Sequence, residues 1–165
     1  MTESRFRPIA VPSRMPLETG SDAPTVRARN QDGEELTLEF AEPTVLYFYP
    51  RDETPGCTIE ANQFQRELET YRDAGAAVYG VSTDDVDSHR SFCESEDLEF
   101  DLLADPDGDL AAAFDVDVED GAAARTTFFL AEGEVKAVYE HVDPDGHARD
   151  VLWDALEAGL VTLPE

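Results

Sequence analysis

A proline that ends an unbroken apolar run and stands just ahead of a helix start constrains this chain more than any other feature. Val45 to Tyr49 contain no polar alternate, so they read as a strand covered on both faces, and Pro50 stops that strand because it has no N–H to give a ladder. The next residues set up a helix. Thr54 is a natural N-cap, Pro55 suits the first helical position with its fixed φ, and Gly56 permits close backbone approach, so Cys57 falls within the first turn. A thiol placed there meets free N–H groups and the positive end of the helix dipole, which favour its thiolate. The plainer reading of Cys57 is a small buried apolar residue, as most free cysteines are.

The rest of the chain supplies layers for such a strand. Phe64, Leu68 and Tyr71 recur at i, i+4 and i+7, an apolar stripe that ends near Gly75. Ala76 to Val81 make a second buried strand, and Ser82-Thr83-Asp84-Asp85 open a second helix over Asp85 to Asp97, on which Cys93 shares a face with Val86 and His89. Strand, helix, strand, helix in this order predicts right-handed crossovers and an α/β sheet. Earlier, Val26 and Leu36-Thr37-Leu38 flank Asn30-Gln31-Asp32-Gly33 as a hairpin. Later, Asp105 to Gly108 form a turn, Leu110 to Phe114 a short helix, and Asp115 to Ala124 an acidic loop. Arg125 then stands at the mouth of a strand through Leu130, Glu132-Gly133-Glu134 turn into another, and a closing helix runs from about Gly146 to Ala158.

At 165 residues the chain suits one domain. Residues 1–16, with Arg5, Arg7 and Arg14, three prolines and only Glu3 as an acid, read as a flexible extension, leaving 17–165 as the domain. Thirty-eight acids against twelve bases give 12 − 38 = −26, and Lys136 is the single lysine. Such a surface repels nucleic acid and anionic membranes and strains the compact state unless salt screens it, which points to a salty cytoplasm. Two cysteines, with no signal peptide and no apolar run of the ~18 residues a span needs, predict a cytoplasmic protein in a reducing compartment.

Pro50-x-x-x-Thr54-x-x-Cys57, inside Tyr-Phe-Tyr-Pro-Arg-Asp-Glu-Thr-Pro-Gly-Cys-Thr-x-Glu-Ala, resembles the active-site signature of the peroxiredoxins, in the bacterioferritin-comigratory-protein or PrxQ branch. The resemblance runs over residues 17 to 158, although the branch's usual aromatic after Ala23-Pro24 is replaced by Thr25-Val26. It implies a thioredoxin-like fold: a central mixed β-sheet flanked by helices, with an N-terminal β-hairpin. It also implies a peroxidase that reduces hydrogen peroxide and organic hydroperoxides, needs no cofactor or metal, works as a monomer and is recycled by a thioredoxin-like reductant.

By the same resemblance Cys57 is the peroxidatic cysteine, Pro50 shields it, Thr54 presents a hydroxyl, and Arg125, in Arg-x-Thr-Phe, is the active-site arginine. Cys93, in Ser88-His89-x-x-Phe92-Cys93, matches the resolving cysteine at 93 − 57 = 36 residues, because the branch's other resolving position, 62, is Asn. Two cysteines in the first turns of separate helices rarely lie within the roughly 4.4 to 6.8 Å between Cα atoms that a disulfide needs, so local unwinding is expected. Asp52, Glu53 and Glu60 work against a thiolate. A one-cysteine peroxidase with Cys93 merely structural, a non-enzymatic thioredoxin-fold binding module, and a zinc site of Cys57, Cys93 and His89 are the alternatives. Gln63 rules out a Cys-x5-Arg phosphatase, and Glu60 stands where a thioredoxin-type dithiol would need its second cysteine.

Overall fold

The structure is a computed structural model that describes residues 15–164; the expected extension therefore lies, apart from its last two residues, outside the described part. Its elements in chain order are β1 (Val26–Arg29), β2 (Glu35–Leu38), β3 (Thr44–Phe48), α1 (Pro55–Asp73), β4 (Ala77–Ser82), α2 (Val86–Glu96), β5 (Asp101–Ala104) and α3 (Asp109–Ala113). They continue with β6 (Val118–Glu119), β7 (Ala122–Ala123), β8 (Thr126–Ala131), β9 (Glu134–Glu140) and α4 (His147–Glu157). The acidic loop expected from Asp115 to Ala124 thus folds back on itself, β6 pairing antiparallel with β7.

Seven strands form one mixed sheet in the order β2-β1-β5-β4-β3-β8-β9. β3, β4 and β5 are parallel, whereas β8 joins β3 antiparallel, β9 joins β8 and the β1–β2 hairpin joins β5. This is the α/β, thioredoxin-like architecture expected, with its N-terminal hairpin on one edge.

β3 is central, and all five of its residues are buried. Val45 and Tyr47, with Tyr49 just beyond, pack with Phe64, Leu68, Tyr71, Phe92, Val151 and other residues of α1, α2 and α4. Leu46 and Phe48 point the other way, to Leu110 and Phe114 at α3 and to Phe128 and Leu130 of β8. The period of two along a strand explains why the run shows no polar alternate: each face has its own apolar layer.

Gly80 marks how tightly the first layer closes. A Cβ there would lie 2.8 Å from Leu102 Cδ2 and 2.9 Å from Tyr47 Cζ, both buried. Gly80→Ala should therefore destabilise the protein by about 1–3 kcal/mol through overpacking. Denaturant titration checks this, and a variant as stable as the parent would show that Tyr47 can move aside.

Candidate active site

Cys57 and Arg125, 68 residues apart in sequence, are brought together by the β3–β8 pairing, which sets Phe48 opposite Thr126. Pro50, half-buried, closes the strand, and the chain bends through Glu53, a non-glycine residue at φ 63 in the left-handed region. Thr54 has the extended N-cap backbone, φ −88 and ψ 156, and Pro55 begins α1. The expected side-chain cap is absent, because the Thr54 hydroxyl donates to the Arg51 carbonyl at 3.0 Å and so stiffens the loop instead. Cys57 is 1% exposed in the first turn.

Arg125 reaches the sulfur with Nη2 at 3.4 Å and donates from Nη1 to Glu60 Oε1 at 2.6 Å. Gly56 makes room for it, since a Cβ at that position would meet Nη2 at 3.3 Å. Burial works against the guanidinium charge, but Glu60 and Cys57 offset it and its pKa is raised. Glu60 itself is fully buried, and burial, only partly opposed by Arg125, pushes its carboxyl up to about 7. Its second oxygen, Oε2, and the Tyr47 hydroxyl are buried without a hydrogen-bond partner among the described residues.

Glu60 is thus the residue whose place the sequence reading missed. It was counted as a charge opposing the thiolate, but it is a partner of the arginine that faces the thiol. Its position three residues after Cys57 on a helix puts both on one face, and that spacing was the available signal. Of the other acids, Asp52 is buried and bonded to His89 Nδ1 at 2.7 Å. The His89 Nε2 lies 3.0 Å from the Leu103 carbonyl, so neither ring nitrogen is left to share a cation with Cys93.

Cys93 is the eighth residue of α2, not in its first turn as the sequence reading had it, and its side chain joins the same apolar cluster as Cys57. Both thiols are free. Burial, then Asp52 and the other acids nearby, push the Cys93 thiol up to about 12. A folded α2 therefore holds Cys93 as a protonated, poorly nucleophilic thiol.

Beside Arg125, His147 at the start of α4 lies 2.9 Å from Thr127 Oγ1 and stands edge-on to Phe64 and Tyr139. Gln63 of α1 fixes this end, donating to Asp145 at 2.7 Å and accepting from Gly146 N at 2.6 Å.

Residues 19–138 match the AhpC/TSA family. A Peroxiredoxin Bcp of Xanthomonas campestris is 42% identical over 116 residues, covering 66% of this chain and 72% of its own. A solved structure of the bacterioferritin comigratory protein of that organism, reported for its alkyl peroxide reduction activity, superposes with a TM-score of 0.77 at 34% identity, over 86% of this chain and 99% of its own. Two structures of Xanthomonas campestris peroxiredoxin Q, each with TM-score 0.77, 33% identity and coverage of 87% of this chain and 99% of theirs, carry serine for one of two cysteines; those two cysteines are 36 residues apart.

His147 sets a testable pH dependence. Burial, with Arg125 adding to it, lowers its pKa from 6.5 to about 4, against a smaller opposing effect of Asp150 and Asp154. The unfolded chain therefore binds the proton first, so this contribution is complete above pH 6.5 and is lost as pH falls towards 4. His147→Gln should fall less in unfolding midpoint than the parent over that interval; parallel curves in thermal melts would contradict it.

Proposed function

The chain belongs to the AhpC/TSA family, among the Bcp/PrxQ peroxiredoxins, which are thiol peroxidases, and on that premise we propose that Cys57 is the thiol that attacks the peroxide. The observation that carries this is the 3.4 Å contact between Arg125 Nη2 and Cys57 Sγ at the start of α1. The thiolate attacks the terminal peroxide oxygen, an S–O bond forms as the O–O bond breaks, and the other oxygen leaves and takes a proton as water or an alcohol while Cys57 becomes a sulfenic acid. Arg125 and the first-turn N–H groups hold the oxygen on which charge develops, a contact that strengthens as the bond breaks. Thr54 and Pro50 position the loop around that thiol, and hydrogen peroxide and organic hydroperoxides are the substrates.

In the second step Cys93 supplies the resolving thiol: its S–H condenses with the sulfenic acid, releasing water and leaving a Cys57–Cys93 disulfide. The separation 93 − 57 = 36, equal to that between the cysteines replaced in the two Xanthomonas structures, supports this pairing. A thioredoxin-like dithiol then exchanges with the disulfide and leaves oxidised itself. Residues 17–165 form the one catalytic domain, with 1–16 an accessory extension, and the enzyme acts as a monomer in the cytoplasm. Among the described residues no helix is long and apolar enough to cross a membrane.

A second reading, a one-cysteine peroxidase, draws on the burial of Cys93 and its thiol at about 12. Rapid-mixing kinetics separate the two. Arg125→Ala should slow the oxidation of Cys57 by about 10²–10³-fold, the loss expected for one oxyanion-type donor; an unchanged rate would remove Arg125 from the mechanism. Cys93→Ser should keep the fast oxidation and lose turnover with thioredoxin, whereas undiminished turnover would establish the one-cysteine reading.

A further inference from the structure

Between the peroxidatic loop and α2 lies a network of buried and half-buried polar groups that the peroxidase chemistry does not use. The Asp52 side chain, 2% exposed, accepts the Tyr49 hydroxyl on Oδ1 at 2.6 Å and both Ser88 Oγ and His89 Nδ1 on Oδ2 at 2.7 Å. Three side chains thus converge on one buried carboxyl group. The backbone N–H of Asp52 donates to Asp84 Oδ2 at 2.7 Å, and Ser82 Oγ donates to that same oxygen at 2.6 Å.

His89 is fully buried, and its other nitrogen, Nε2, faces the Leu103 carbonyl oxygen at 3.0 Å. The ring is thus held at both nitrogens, by the Asp52 carboxyl group on one side and a β5 carbonyl on the other. Removing one partner of such a buried pair would leave the other buried without its hydrogen bond, so the pair holds its two elements in register.

The two ends of α2 are held unequally. Its first turn carries this pair, and the Asp85 side chain caps it by accepting from Ser88 N at 2.9 Å. Its last turn ends on Asp97, a non-glycine residue at φ 54 in the left-handed region, and is tied to α1 only by exposed or half-buried contacts, from Asn62 to Glu96, from Glu99 N to Gln65 and from Arg72 to Glu99. Cys93 lies in between, four residues past His89. Four residues span about 6 Å as helix and up to about 14 Å extended, so unwinding past a fixed His89 gives Cys93 roughly 8 Å of added reach.

We propose that the buried Asp52–His89 pair is the fixed point about which α2 unwinds: the first turn stays on the peroxidatic loop throughout the cycle, and only the segment C-terminal to His89 moves to bring Cys93 to Cys57. Asp52 and His89 are on this account positioning residues. The inference rests on the reading of Cys93 as the resolving cysteine.

Hydrogen exchange, compared between the reduced protein and its purified disulfide form, tests the pivot. The disulfide form should lose protection from Cys93 to Leu98 and keep it at His89 N, which bonds to the Asp85 carbonyl at 3.0 Å. Protection lost at His89 as well would overturn the pivot while leaving the disulfide standing. Failure to form any Cys57–Cys93 bridge would overturn the underlying reading and the pivot with it. Asp52→Asn, which removes the charge at constant shape, should form the disulfide several-fold more slowly than the parent once Cys57 is oxidised, and an undiminished rate would remove Asp52 from the role.

Discussion

One guanidinium is shared between a thiol and a carboxylate, and the site depends on that sharing. Arg125 gives Nη2 to Cys57 and Nη1 to Glu60, so its single positive charge faces two groups that become anions. Each element around it serves this contact. β8 delivers the arginine at its mouth, Gly56 omits the Cβ that would crowd it, and α1 sets Cys57 and Glu60 three residues apart on one face. Because Glu60 is pushed up to about 7, the site near neutrality holds a proton that the carboxylate can keep, and Arg125 is then less divided.

The same division runs through the chain's abundant acids. At the surface they make the large negative charge, and their pairs with Arg27, Arg72 and Arg90 are exposed contacts of the kind that contributes about 0–1 kcal/mol. Inside, acids are few and each has a stated partner. Glu60 meets Arg125, Asp52 meets His89, and Asp105 accepts from Leu110 N and Ala111 N at the start of α3. Counting charge along the sequence merges these two populations, although only the second shapes the chemistry.

Much of the fold was legible because periodicity reports burial directly. The two-sided strand β3, the stripes of α1 and α4, and the hairpin each carry a pattern that local physics enforces. β5 was not read as a strand, since its four residues begin with Asp101 and derive their pairing from β4 rather than from their own propensity. Within the site, Cys57, Thr54 and Arg125 stood out through motif and position. The Thr54 hydroxyl bonds the Arg51 carbonyl instead of making the expected cap. Glu60 and the Asp52–His89 pair were out of reach for a further reason: whether an acid opposes or supports a thiolate depends on which cation it meets across the fold, and His89 is thirty-seven residues from Asp52 in sequence.

The central claim is that Cys57 reacts with peroxide and hands its oxidation to Cys93. Its most direct test is to treat the reduced protein with one molar equivalent of hydrogen peroxide, then take an intact mass and a peptide map without reductant. The account predicts a monomer lighter by two hydrogen atoms and a cross-linked pair of peptides containing Cys57 and Cys93. A sulfenate that persists on Cys57, or a disulfide between two chains, would contradict the internal resolution, and an unreacted Cys57 would contradict the peroxidase assignment of this residue.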